Sequence, residues 1–178
     1  MVSGPPGVGK TTLAHALAEA LAWPVVCRDE IKEGMVGAGA GHAAGPADDL
    51  NLKTLKLFFG TIAEYLRSGT SLVTEAAFQD RLWRPGLEPL RELADIRVVR
   101  CFADPELARE RIATRAATQS SRSAHDDAAY LRRIANGERP IESWVPIALD
   151  VPSLVVDTTW GWAPSLEQIL EFAGAGAG

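Results

Sequence analysis

The chain has 178 residues, of which 47% are hydrophobic and 23% charged, and its formal net charge is −5. This composition is that of an ordinary globular domain, and its acidity argues against a nucleic-acid partner, whose binding surface would be basic. No apolar run is long enough to span a membrane and no signal peptide precedes the first element, so a cytoplasmic protein without a membrane partner is expected. Cys27 and Cys101 lie in apolar runs typical of strands, which favours buried, reduced thiols over a disulfide or a metal site.

A glycine-rich loop comes first in chain order. Residues 4–11 read Gly-Pro-Pro-Gly-Val-Gly-Lys-Thr, which fits the pattern G-x-x-x-x-G-K-[ST] without a mismatch. In such a loop the backbone N–H groups form a nest for phosphate, the lysine reaches the β- and γ-phosphates, and the final hydroxyl can bind Mg²⁺. The motif predicts a site for a nucleoside triphosphate, with contacts from Gly4, Pro6, Gly7, Val8, Gly9, Lys10, Thr11 and Thr12.

The context of the loop supports this prediction. Residues 1–3 can end a strand, and residues 11–22 carry leucines at i, i+4 spacing, which predicts a helix with one apolar face. Strand, glycine loop and helix is the arrangement that the motif requires. Only three residues precede the loop, whereas a buried strand usually has about five or six. Either the strand starts upstream of Met1 or it is very short, and the sequence leaves both open.

The remaining elements alternate between strands and helices. Strands are predicted over 25–27, 71–74, 96–102 and 154–157. Helices are predicted over 50–67, 87–93, from 105 onward, 128–136 and 164–172, with a loop or loose helical turn over 34–46 and a mobile loop over 116–127. This alternation predicts an α/β fold, a five-stranded parallel sheet flanked by helices, in a single domain over 1–173 with a disordered tail over 174–178.

Ligands of such sheets bind beyond the carboxyl ends of the strands, and carboxylates follow two of them. Asp29 comes directly after the second strand, where it can accept a proton from an attacking hydroxyl or simply cap the next helix. Glu75 ends the third strand. It can hold Mg²⁺ through water, fix a substrate hydroxyl, or be a salt-bridged loop residue.

Arginines follow the fourth strand. Arg111 and Arg115 are one helical turn apart, so they share a face and can neutralise charge on a transferring phosphoryl group. The alternative is a solvated face on which they pair with Glu106 and Glu110.

Aromatic and histidine side chains complete the candidates. After the fifth strand, Trp160 or Trp162 can stack on an adenine or cover the edge of the core. His15, inside the first helix, favours a structural role. His125 lies in the predicted mobile loop, within reach of phosphate or substrate.

With these residues placed, the chain resembles the small P-loop kinases grouped around zeta toxins, chloramphenicol phosphotransferase and the 5′-kinase domain of phage polynucleotide kinase. The resemblance rests on the loop at 4–11 and on Arg28-Asp29-Glu30-Ile31-Lys32. In polynucleotide kinase the matching segment reads Arg-Asp-Asp followed by a basic residue, and its first Asp is the general base. The resemblance therefore implies that Asp29 is the base and that Lys32 takes the place of the basic residue.

The same resemblance implies a strand order of 2-3-1-4-5 and a P-loop NTPase fold. It also implies an arginine-bearing lid over about 105–127 that contains Arg111 and Arg115. Glu75 looks like the family's acidic residue at the third strand.

The function that follows is transfer of the γ-phosphoryl group of ATP to a hydroxyl of a small molecule, with Mg²⁺ as cofactor. The implied catalytic residues are Lys10, Asp29, Arg111 and Arg115; the metal residues are Thr11 and Glu75; and the substrate-binding residues are Asp29, Lys32 and Glu75. The segment 34–46, where such kinases build their acceptor pocket, has no distinctive polar set, so the acceptor stays unidentified. A nucleic-acid 5′-hydroxyl kinase and a nucleotide-dependent ATPase or switch without an acceptor are the alternatives.

Overall fold

The structure is a computed structural model of the chain and describes residues 1–38, 49–118, 131–132, 136 and 144–174, apart from the side chains of residues 81 and 82. No helix within these ranges is both long and apolar enough to cross a membrane. The predicted loop beyond residue 38, the predicted lid segment over 119–127 with His125, most of the predicted helix over 128–136, and tail residues 175–178 lie outside the described ranges.

Five parallel strands form one sheet in the order β2-β3-β1-β4-β5, which confirms the predicted topology. The strands are β1 (Val2–Ser3), β2 (Val25–Cys27), β3 (Val73–Glu75), β4 (Val98–Phe102) and β5 (Ser153–Asp157). Because β1 is central, the chain crosses to one side of it for β2 and β3 and to the other for β4 and β5. The crevice beyond the carboxyl end of β1 is therefore where a ligand of this fold binds.

The central strand β1 is only two residues long. Val2 pairs with Glu75 of β3 on one side and with Val99 of β4 on the other. Flanking backbone bonds extend both pairings, since the Met1 carbonyl accepts from the Val99 N–H at 2.8 Å and the Val2 carbonyl from the Ala76 N–H at 3.3 Å. The short strand is thus held along both edges, and this fixes where the following loop begins.

The helices in the described ranges are α1 (Lys10–Leu21), α2 (Arg28–Gly37), α3 (Asp49–Arg67), α4 (Asp80–Leu87), α5 (Pro105–Thr118) and α6 (Leu166–Ala173). Residues 34–37 belong to α2, where a loop or a loose helical turn was expected. The loop expected over 116–127 is wrong for residues 116–118, which belong to the last turn of α5. These three residues are Ala-Ala-Thr, and their small side chains suggested a loop although alanine favours a helix.

Helix α4 was also missed, because only a helix over 87–93 was predicted. Pro85-Gly86 in its last turn looks like a break in the sequence. Burial overrides that signal: Trp83 is 7% exposed and packs edge-on against Phe58 and Phe78, with ring centroids 5.8 and 5.0 Å away. The chain continues from α4 into a 3₁₀ turn over Glu88–Glu92.

Each face of the sheet carries its own core. Neighbouring residues of β4 show the alternation, because Val98 packs with the cluster around Phe58 and Ile62 of α3, while Val99 packs with the cluster around α1 and α6. Cys27 and Cys101 are both buried, as predicted. In the described ranges, helices therefore cover both faces of the sheet.

Candidate functional site

The phosphate loop joins β1 to α1 and packs against α5. Gly7 has a φ of +82°, and a Cβ built on it would lie 2.4 Å from the carbonyl oxygen of Ala108 in α5. A side chain here would collide with backbone, so only glycine lets the loop approach the helix this closely. Gly9 ends the loop as the N-cap of α1, with a φ of 77°. The loop is therefore positioned by β1, α1 and α5 together.

Lys10, Thr11 and Glu75 meet beside this loop. The Lys10 ammonium donates to the Pro5 carbonyl at 3.0 Å and lies 3.7 Å from one carboxylate oxygen of Glu75. The Thr11 hydroxyl donates to the other carboxylate oxygen at 3.1 Å. The pairing of β3 with β1 brings Glu75, at the end of β3, to residues that lie far away in sequence. The site thus joins the loop's cation and hydroxyl to one carboxylate.

Glu75 is buried, and its surroundings set its charge. The residue is 3% exposed. Burial raises its pKa, Lys10 and the Thr11 hydrogen bond lower it, and the negative charges of Asp29 and Glu30 raise it further. A buried carboxylate requires a cation or hydrogen-bond donors, and carboxylate and hydroxyl oxygens are ligands that Mg²⁺ accepts. The donor set of Thr11 and Glu75 therefore fits a magnesium ion beside the phosphates.

Asp29 lies in the first turn of α2. Its carboxylate accepts from Nη1 of Arg28 at 3.1 Å, and its side chain is 45% exposed. Cys27 of β2 pairs with Glu75 of β3, so Asp29, two residues after Cys27, lies at the same end of the sheet as Glu75. The alternative that Asp29 caps the helix is wrong, because the N-cap is Cys27 and no side chain caps this end. Asp29 is therefore an accessible carboxylate near the phosphate loop.

Arg28, which pairs with Asp29, and Asn51, which pairs with Arg28, were not predicted as site residues. Arg28 bridges α2 and α3, since its Nη2 donates to Oδ1 of Asn51 at 2.6 Å while its Nη1 binds Asp29. The position of Arg28 directly after a strand is a signal that sequence reasoning could have used. Asn51 has no such signal, because only the packing of α3 against α2 brings it here.

Lys32, predicted to contact substrate, lies one turn along α2 from Asp29 and is only 4% exposed. The burial of its side chain excludes a role at the open surface.

Arg111 of α5 is turned toward the phosphate loop. Its Nη2 donates to the carbonyls of Thr158 at 3.0 Å and Thr159 at 3.3 Å. Its Nη1 is buried and makes no hydrogen bond within the described residues. A Cβ atom built on Gly9 would lie 3.9 Å from this nitrogen, so the nitrogen is close to the backbone of the phosphate loop. A buried guanidinium nitrogen beside this backbone is available to an anion bound there.

Helix α5 is anchored rather than loose. Ala108 and Ile112 are both fully buried. In the described structure Arg111 forms no ion pair with Glu106 or Glu110, so the alternative of a solvated, paired face does not apply to it. Arg115 lies one turn further along α5 and is partly buried. The first part of the predicted lid is therefore a packed helix.

Thr158, which follows β5, fastens the phosphate loop to the sheet. Its hydroxyl lies 2.6 Å from the Val8 carbonyl of the loop and 2.9 Å from the Phe102 carbonyl of β4. Its own N–H also donates to Phe102 at 2.9 Å. The residue is 5% exposed. It was not predicted as a positioning residue, because its contact with the loop spans 150 positions.

We expect Thr158→Val to loosen this attachment. The change keeps the shape but removes the hydroxyl, so the buried Val8 carbonyl loses its bond, and the free energy of unfolding should fall by about 1–3 kcal/mol. ATP should also bind more weakly, which calorimetry and denaturant unfolding would measure together. Thr118→Val, at the exposed end of α5, is the matched control. Equal behaviour of the two variants would contradict the role of Thr158.

The structure describes the tryptophan candidates and His15, whereas His125 lies outside the described ranges. Trp160 is 93% exposed, whereas Trp162 is partly buried against the core cluster around α1 and α6. Trp162 therefore covers the edge of the core, which was the alternative to stacking on an adenine. His15 pairs with Glu30 at 2.7 Å.

The fold and the loop together define a P-loop nucleotide-binding domain. A family model described as an AAA domain matches residues 1–140, so the chain belongs to this family. No curated protein sequence matches the chain.

Solved structures of bacterial proteins share the fold. The chain is similar to a putative kinase from Chloroflexus aurantiacus, with a TM-score of 0.80 and 27% identity over 97% of this chain and 94% of that one. It is also similar to a gluconokinase from Sinorhizobium meliloti, with a TM-score of 0.56 and 22% identity over 98% and 88% of the two chains. A sugar kinase from a Janibacter species has a TM-score of 0.58 and 17% identity over 97% and 89%.

Proposed function

We propose that this domain is an ATP- and Mg²⁺-dependent kinase that phosphorylates a hydroxyl group of a small molecule. The observation that carries the proposal is the accessible carboxylate of Asp29, which follows β2 at the end of the sheet where Glu75 contacts Lys10 and Thr11. A domain that only binds or hydrolyses nucleotide has little need of a carboxylate directed at an acceptor.

In the proposed reaction the acceptor oxygen bonds to the γ-phosphorus, the bond to the β–γ bridging oxygen breaks, and ADP leaves. The hydroxyl proton passes to the carboxylate of Asp29. Lys10 neutralises charge on the β- and γ-phosphates, and Arg111 and Arg115 stabilise the transferring group. Thr11 and Glu75 would hold Mg²⁺, which when bound would supply further neutralisation of phosphate charge.

Two observations support a small acceptor and a kinase. The Chloroflexus aurantiacus protein, which is 27% identical over nearly the whole of both chains, is described as a putative kinase. The net charge of −5 disfavours a polyanionic acceptor such as a nucleic-acid end. The two sugar-kinase structures are too distant in sequence to name the acceptor.

The direct test is an acceptor screen. The full chain is incubated with ATP, Mg²⁺ and a mixture of sugars, sugar acids, polyols and aminoglycosides, and mass spectrometry then looks for compounds that gain one phosphoryl group. We expect at least one phosphorylated product, and an oligonucleotide arm should give none. Slow ATP hydrolysis without any product would contradict the kinase, and labelled oligonucleotide ends would replace it with the nucleic-acid alternative.

A further inference from the structure

Three side chains with different ligand atoms converge beside the proposed kinase site and take no part in its mechanism. Nε2 of His15 lies 2.7 Å from Oε1 of Glu30 and 3.9 Å from Sγ of Cys27. All three ligand atoms lie within 4.8 Å of one another. His15 belongs to α1, Cys27 ends β2 and Glu30 belongs to α2, so the tertiary fold brings them together.

The chemistry of this set selects a class of cation. Imidazole nitrogen, thiolate sulfur and carboxylate oxygen are the ligands of Zn²⁺ and related divalent ions, whereas Mg²⁺ takes oxygen ligands. In tetrahedral zinc sites the bonds are about 2.0–2.3 Å, which puts neighbouring ligand atoms roughly 3.3–3.7 Å apart. The observed separations lie on both sides of this range, so small side-chain rotations would make the set coordinate an ion.

We propose that His15, Cys27 and Glu30 form a binding site for one Zn²⁺-like cation, with solvent in the fourth position. The side chains of His15 and Glu30 are 49% and 51% exposed, so the ion can reach them from solvent, while Cys27 is 2% exposed and closes the inner side. This site is separate from the oxygen site of Thr11 and Glu75.

The surrounding charge favours a cation. The carboxylate of Glu30 belongs to the cluster, and those of Glu75 and Asp29 are near enough to act on the Cys27 thiol. The same carboxylates attract a divalent ion. Binding replaces the thiol proton, which is released to solvent, and affinity therefore increases with pH.

A bound ion would connect α1 to the first turn of α2. Asp29 lies in that turn, between Cys27 and Glu30 in sequence. The ion would therefore restrain the segment that carries the proposed base, although the binding itself does not depend on the kinase proposal.

Co²⁺ is the appropriate probe, because a thiolate ligand gives it a charge-transfer band that oxygen ligands do not. The chelator-treated full chain, without nucleotide, is titrated with Co²⁺. We expect one equivalent to produce the thiolate band and added Zn²⁺ to abolish it. Failure to form a stoichiometric thiolate complex would overturn the proposal.

Variants identify the ligands. Cys27→Ser should abolish the band, and His15→Ala should weaken binding at least about tenfold, since even an outer partner of a metal ligand is worth roughly 10–100-fold. Cys101→Ser is the matched control, because Cys101 is an equally buried thiol outside the cluster and should leave the band intact. Circular dichroism confirms that each variant folds. A band that survives Cys27→Ser or disappears with Cys101→Ser would contradict this site.

Discussion

Replacing Lys10 with methionine is expected to lower kcat/KM for phosphoryl transfer by roughly a thousandfold, equivalent to about 4 kcal/mol of transition-state stabilisation. The reason is electrostatic. Lys10 is the loop's cation, its side chain is only 11% exposed, and its ammonium lies 3.7 Å from Glu75. Methionine keeps most of the apolar stem but removes the charge that offsets the phosphates. Steady-state kinetics with the identified acceptor measure the loss.

The same change also affects Glu75, and this must be separated from catalysis. Without Lys10 the buried carboxylate loses the contact that lowers its pKa, so its pKa should rise further. Adding Glu75→Gln to Lys10→Met should therefore recover stability in thermal unfolding without recovering transfer. Lys56→Met, on the exposed face of α3, is the control for loss of a lysine. Full transfer activity in Lys10→Met would refute the assignment of the loop.

Asp29→Asn is expected to leave ATP affinity nearly unchanged while lowering the transfer rate by about 10²–10⁴-fold. Asparagine has nearly the same size and can still accept the hydrogen bond from Arg28, but its amide cannot take up the acceptor proton. Calorimetric titration with ATP and single-turnover transfer distinguish the two effects.

A matched control for this variant is Asp95→Asn, which makes the same chemical change at an exposed residue. Asp95 precedes β4 and therefore lies toward the amino ends of the strands, away from the phosphate loop. It should behave like the unaltered protein. If Asp29→Asn retains transfer, the side chain of Asp29 does not take up the acceptor proton and the proposed base is wrong. If it loses ATP binding as well, the residue serves nucleotide binding rather than proton transfer.

The two predictions test different parts of the site. Lys10 and Thr11 are consecutive residues of a contiguous motif, so their roles follow from the loop itself. Asp29 is connected to the loop only through space, by way of Glu75. Loss of transfer in both variants, with loss of ATP affinity confined to Lys10→Met, is the pattern that a kinase requires.

Local chemistry explains which features of the fold could be predicted from the sequence. The glycines of the loop, the leucine spacing of α1 and the alternation of strands and helices are short-range signals, and each reports backbone preferences that persist in the fold. Where short-range signals conflicted with burial, prediction failed. Pro85 concealed α4, which the packing of Trp83 stabilises, and small residues concealed the end of α5.

By itself, the sequence determined the phosphate loop, the α/β class and the carboxylate that follows β2, since each is encoded in neighbouring residues. Only the tertiary structure decided which residues the loop meets. Strand order and register bring Glu75 to Lys10 and Thr11, β5 delivers the Thr158 hydroxyl to the Val8 carbonyl, and α5 turns Arg111 toward Gly9. These contacts join segments that are distant in the chain. Local backbone preferences do not encode the distance between two such elements, because packing sets that distance.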